Sequence, residues 1–197
     1  MAQVEIVAGG FHRAGLPHRT RRHCALGRRP LPQDLTLVLP AEAAVSTAGE
    51  EVRGINITRS GEAITVTAAG SGIDTAGSGG AGIQISGWNG DVKIDAGAVT
   101  TTGDRSDGIA VDAGMSGNIA INADSVLTMG EASTGVTAVG TAIDVQIADT
   151  VRTSGDKATC IFARTNFVYR DTVTIPDTTW LAPGPRAASP LCLDLTD

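Results

Sequence analysis

Val99-Thr100-Thr101-Thr102-Gly103-Asp104-Arg105-Ser106-Asp107-Gly108-Ile109-Ala110-Val111 is the stretch whose reading decides the fold. A β-branched residue is followed by a threonine two places on and a glycine two further. Five residues after that glycine comes a Gly-Ile-x-Val step. The first half of the pattern stands five times: Val45 to Gly49, Ile73 to Gly77, Val99 to Gly103, Val126 to Gly130 and Val151 to Gly155. The copies are 28, 26, 27 and 25 residues apart. A period in this range marks a solenoid, in which one winding of the chain is one structural unit.

Within each winding lie three short runs of alternating β-branched residues. The first opens on glycine, as in Gly54-Ile55-Asn56-Ile57, Gly82-Ile83-Gln84-Ile85, Gly108-Ile109-Ala110-Val111 and Gly135-Val136-Thr137-Ala138. The second holds Ile64-Val66, Val92-Ile94, Ile119-Ile121 and Val145-Ile147. The third is the Val/Ile-x-Thr-x-Gly segment itself. Alternation with period two is a strand signal, and the Gly, Asn, Asp and Ser residues between runs are turn formers.

Three strands per winding predict an all-β parallel β-helix of about four to five coils. Equivalent inward residues then form columns: Ile55, Ile83, Ile109, Val136 and Ile161; Ile64, Val92, Ile119 and Val145; Val45, Ile73, Val99, Val126 and Val151. Beside the last runs a column of Thr47, Thr75, Thr101, Thr128 and Thr153, expected to hydrogen-bond to one another. The step from each third strand to the next first strand is five residues every time. First to second is read as nine residues in three coils and ten in the other. Length varies more between the second and third strands, where loops should bulge outward. The loops near 86–90, 113–117 and 140–142 are the expected presenting surfaces.

The repeats are expected over 34–175. Residues 1–33 carry six Arg, one Glu and all three His, and the segment 11–33 shows no periodicity. They read as an irregular, disordered or non-native leader; a basic arm for a phosphate surface is the competing reading. They hold no apolar run of signal-peptide length. Residues 176–197 read as an irregular tail, and both ends look like cuts through a longer array. Residues 34–197 hold 20 acidic against nine basic side chains, which argues against nucleic acid as a partner. Aromatics make up 3% of the chain, too few for a base-stacking or sugar-stacking platform. No stretch is long enough for a transmembrane helix. Cysteines 24, 160 and 192 form no disulfide framework.

No set of residues reads as catalytic, cofactor-binding or metal-ligating, and no cofactor is expected. Glu50, Ser78, Asp104, Glu131 and Asp156 form an exposed corner column that could share calcium but reads as a solvated acidic edge. Gly79-Gly80-Ala81-Gly82 lacks the aspartate of the calcium-binding repeat. His12, His18 and His23 precede the repeats, so a Ser-His-Asp triad has no histidine, and His18, His23 and Cys24 match no zinc spacing. Asp91, Lys93 and Asp95 surround one second strand. Asn118, Ala120 and Asn122 follow one coil on, then Asp144, Gln146 and Ala148. A pair such as Asp91 and Asp144 would lie two rungs apart, near 10 Å, wide for acid-base work. Asn56-Ile57-Thr58 fits the N-glycosylation pattern but reads as an ordinary strand.

The best repeats, Gly82 to Asp107 and Gly108 to Thr134, resemble those in passenger regions of bacterial autotransporters and related β-helical adhesins. The resemblance spans about residues 35–175. It implies a right-handed β-helix, exported and displayed at or released from the cell surface, with a host-surface glycan or protein as partner. Family members usually carry an export signal and an outer-membrane β-barrel, neither of which stands in this sequence. No catalytic motif of the family has a counterpart here. The expected function is a non-catalytic structural or adhesive segment. A carbohydrate-active β-helix and a truncated product without independent function are the alternatives. Bare coil ends make self-association a hazard.

Overall fold

A computed structural model of the protein describes residues 3–6, 34–165, 172–174 and 194–196. Its strands are β1 (Gln3–Ile6), β2 (Leu35–Val38), β3 (Ala44–Ala48), β4 (Ile55–Ser60), β5 (Ile64–Ala76), β6 (Ala81–Trp88) and β7 (Val92–Thr101). They continue with β8 (Asp107–Asp112), β9 (Ile119–Met129), β10 (Thr134–Gly140), β11 (Ile143–Ser154), β12 (Thr159–Thr165), β13 (Thr172–Thr174) and β14 (Asp194–Thr196). No helix occurs among the described residues. The strands stack as a parallel β-solenoid of about five turns, as the repeat predicts.

Two sheets run along it. The first orders β1-β4-β6-β8-β10-β12-β14; the second orders β13-β11-β9-β7-β5-β2, with β3 also on β5. Every pairing is parallel except β1 with β4, which is antiparallel. Two short strands thus lie inside stretches read as irregular: Gln3–Ile6 against the first complete coil, and Asp194–Thr196 against β12. The remainder of both stretches lies outside the described residues.

The second and third runs of each coil are not separate strands. They merge into one long strand: β5, β7, β9 and β11. Length does vary between them, and β-bulges absorb it rather than loops; but with Ile143 opposite Ile119 the step from first to second strand, seven to ten residues, varies more, against expectation. Ala68 pairs with Ala96 and Gly72 with Ala98, so three residues of β5 face one of β7. Likewise Ala148 and Asp149 of β11 face Asp124 alone. Gly97 sits opposite the first bulge, where a Cβ would meet the Ser71 carbonyl oxygen at 2.3 Å. A bulge keeps the sheet continuous while adding chain, so hydrogen bonding resumes at once on the far side.

The inward columns make a dry core of Ile, Val and Ala, with Ile55, Ile64, Ile73, Ile83, Ile94 and Ile109 wholly buried. Each buried Ile or Val contributes roughly 1.5–3 kcal/mol. The first and third columns hold the residues predicted for them. The second needs a correction at the fourth coil. Ile143 pairs with Ile119, and Val145 pairs with Ile121. The chain reaches the second strand seven residues after Val136, not nine. At the amino-terminal end Leu35, Leu37 and Leu39 pack partly buried over the core.

Candidate functional site

The corner after each third strand is built by backbone contact. A Cβ on Gly77 would lie 2.1 Å from the Gly49 carbonyl oxygen, and one on Gly103 2.0 Å from that of Gly77. Gly130 and Gly155 repeat the relation at 2.1 Å. The glycines therefore stack with no room for a side chain. Two residues further on, each corner turns through the left-handed region: Glu51, Gly79, Arg105, Ala132 and Lys157 have φ of 56, 73, 53, 53 and 58°. The opening glycines have another cause. A Cβ on Gly82 or Gly108 would strike Val99 or Val126 at 2.4 Å, because the third-column valine packs directly on the glycine. Cys160 takes this position in the fifth coil. It is buried, with Sγ 3.6 Å from Thr153 Oγ1.

The threonine column is buried as expected, but its hydroxyls do not link to one another. Thr75 Oγ1 donates to the Ala81 carbonyl at 3.4 Å and Thr101 Oγ1 to the Ser106 carbonyl at 2.9 Å. Thr47 and Thr128 hydroxyls have no hydrogen-bond partner. Ser106 and Ser133 fill the corner instead. Ser133 Oγ accepts from Ser106 N and donates to the Gly103 carbonyl, each at 3.1 Å; Ser106 Oγ donates to the Gly77 carbonyl at 2.9 Å. Buried polar groups seek the nearest free carbonyl, and the tight corner supplies it.

The acidic corner column is only partly free. Asp104 Oδ1 accepts from Glu131 N at 2.9 Å, and Glu131 Oε1 lies 3.5 Å from Lys157 Nζ. No three His, Cys, Asp or Glu side chains among the described residues converge as metal ligands would. Asp107, half-buried at the mouth of the next strand, accepts from Thr134 N at 3.0 Å and from Thr137 Oγ1 at 3.3 Å. Burial pushes its pKa above the ordinary 3.8, against the pull of those hydrogen bonds. Arg59 is buried beside β6 and pairs with Glu62.

Two of the three expected loops are shorter than expected. Residues 86–88 belong to β6 and Gly140 to β10. The third is the six-residue turn 113–118, with Ala113 buried, Met115 exposed and the Met115 carbonyl held by Thr141 Oγ1 at 3.1 Å. Asn56 lies in β4 between β1 and β6. His12, His18, His23 and Cys24 fall outside the described residues.

A concave surface lies on the outer face of the second sheet, where β5, β7, β9 and β11 begin. It is an open trough of about 510 Å³, lined by Asp91, Lys93, Asn118, Ala120 and Asp144 among others. The register places Thr65, Lys93, Ala120 and Asp144 in one outward column. This corrects the reading that set Asp144 in line with Asp91 and Asn118; its neighbour is Ala120. Asp91 Oδ1 accepts from Asn118 N at 2.8 Å. Lys93 Nζ lies 3.4 Å from Asp95 Oδ2, and Asp95 Oδ1 accepts from Asn122 Nδ2 at 2.7 Å. Asp144 Oδ2 accepts from Gln146 Nε2 at 3.1 Å, while Asp144 Oδ1 is buried without a partner. The small Ala120 leaves a gap between Lys93 and Asp144, two rungs or about 10 Å apart. Strand parity alone does not announce this trough. The signal was an alanine between charged residues at equivalent positions, visible only once the fourth coil is in register.

Comparison with known proteins adds no relative: no protein-family model, no curated protein and no solved structure matches this chain.

Proposed function

We propose that this chain is a stiff, non-catalytic shaft segment of a surface-displayed, adhesin-like protein, with a host-surface glycan or protein as its partner. The supporting observation is the regularity of the rungs. Equivalent residues stay in register along both sheets through all the windings, and departures are confined to bulges and corners. Parallel pairing on both neighbours and a dry core give such an array stiffness along its axis. Its polar groups are spread along outward columns at rung spacing, an arrangement suited to extended contact. The carboxylates offered for acid-base work do not form a facing pair, since Asp91 and Asp144 stand in different columns.

Beads coated with the chain are expected to be retained on host-cell or glycan-coated surfaces, and soluble chain to release them. Retention equal to that of beads carrying an unrelated protein sinks the adhesive reading. Turnover of a polysaccharide that disappears in Asp91→Ala or Asp144→Ala sinks the non-catalytic one.

A further inference from the structure

We propose that the two ends of this solenoid are complementary, so that a second copy of the chain docks head to tail on the first, and that Cys160 holds this docking in check. The proposal stands apart from the adhesive reading, and each can fail without the other.

The ends are matching half-coils. At the carboxy-terminal end β12 opens a coil, but among the described residues no third strand completes it, and residues 150–154 of β11 pair with β9 alone. At the amino-terminal end β2 and β3 close a coil that has no first strand of its own among the described residues; β1 lies antiparallel in that place on β4. β12 of one copy with β2 and β3 of the next therefore makes one whole winding, and the columns run on in register. Val45 comes over Val151 and Thr47 over Thr153. Leu35 and Leu37, only partly buried, come over Ile143 and Val145.

Backbone polarity matches as well. At each corner an N–H reaches forward to a carbonyl of the following coil: Gly49 N to Ala76 and Gly130 N to Ser154 at 2.9 Å, Glu51 N to Ser78 and Ala132 N to Asp156 at 2.8 Å. By the same rule the N–H groups of Gly155 and Lys157 point off the carboxy-terminal end. The carbonyls of Ala48 and Glu50 point off the other end, placed to receive them. Asp104 Oδ1 takes the Glu131 N–H at 2.9 Å, and Asp156 would take that of Glu50 likewise. Glu51 falls over Lys157, an exposed ammonium that touches Glu131 of its own chain at 3.5 Å. The strands that must yield are shorter than those that arrive. β1, β13 and β14 have four, three and three residues, whereas β4, β2 and β3 bring six, four and five.

One residue resists. Gly54, Gly82, Gly108 and Gly135 leave no room for a side chain under the next coil's carbonyl; a Cβ on Gly135 would lie 2.5 Å from the Cys160 oxygen. Cys160 stands next in that glycine column, and its Cβ would meet the Gly54 carbonyl of the docking copy at a like distance. The overlap is with backbone, so two copies stack less tightly than two coils of one chain.

The test is sedimentation velocity of the full chain at rising concentration, in reductant. Cys160→Gly should associate about tenfold more tightly than the parent. Its series should run past the dimer, because a head-to-tail contact does not close. Cys160→Ala removes the thiol but keeps the Cβ and should behave as the parent. Ser46 and Ala48 are exposed on β3, and by the alternation above their N–H groups face away from β5. Ser46→Pro or Ala48→Pro, added to Cys160→Gly, should therefore spare the β3–β5 ladder and block association. Cys160→Gly that sediments as the parent overturns the proposal. So do equal association of Cys160→Gly and Cys160→Ala, a series that stops at the dimer, or indifference to both prolines.

Discussion

A methyl group on Gly103 would sit 2.0 Å from the Gly77 carbonyl oxygen, and the obstacle is backbone on the neighbouring coil. Gly103→Ala must therefore spread two rungs apart. We expect a loss of about 2–3 kcal/mol in chemical denaturation, at the upper end of overpacking costs. Ala132 is the opposite case. Its φ of 53° costs a non-glycine residue roughly 1–2 kcal/mol. Ala132→Gly should return up to about 1 kcal/mol after the added freedom of the unfolded chain, seen as a rise in melting temperature. Asp107 governs a pH effect. Its folded pKa is raised, so the folded chain holds the proton more tightly than the unfolded one. Its contribution is fully present below the unfolded value of 3.8 and fades as pH climbs through the raised value. Asp107→Asn keeps an acceptor for Thr134 N and removes the charge. Stability measured against pH should fall less above 3.8 and stand higher at neutral pH than in the parent. The glycine positions were readable because their spacing is constant. The destination of the threonine hydroxyls was not. It depends on where the corner carbonyls point, and a left-handed residue that no sequence pattern marks sets that direction: Arg105, Ala132 and Lys157 share nothing but a conformation.

At the scale of the strand, parity is protected and register is not. Alternation tells which residues face inward, and it does so for Ile143, Val145 and Ile147 alike. A slip of two residues leaves every side chain on its proper face, so the second column could be misread in the fourth coil without violating the pattern. A slip of one cannot be hidden. Inserting one alanine between Lys93 and Ile94 reverses the faces of one part of β7 and should abolish cooperative unfolding. The same insertion between Ala148 and Asp149 enters an existing bulge and should cost only about 1 kcal/mol. Urea unfolding of the two variants separates these outcomes. The bulges themselves were legible as uneven spacing; their form was not, because a surplus residue can leave the sheet as a loop or stay in it as a bulge. Gly97, where a Cβ would meet the Ser71 carbonyl oxygen at 2.3 Å, is the packing detail that favours the bulge.

For the whole molecule the decisive fact is that each coil touches the coils on either side. Removing residues 108–134 joins Asp107 to Gly135 at equivalent positions and restores a five-residue corner step. The shortened chain should fold with the same strand content per residue and melt a few degrees lower, because stability in such arrays is close to a sum over neighbours. Circular dichroism through the melt checks both; an unfolded product would show that the coils are not interchangeable. The candidate trough needs four consecutive strands in one register, which is why reading single coils could not locate it. The expected solenoid was visible in composition and period alone, whereas the antiparallel β1 was not, since four residues carry too little pattern to announce a strand.

The glycine corners have a consequence for how such a protein can change. Because each corner fits the one beneath it through backbone atoms alone, a gene that gains or loses one whole block of codons yields a shaft whose new junction repeats a contact already present elsewhere. Reach can then be altered by recombination without any compensating substitution inside.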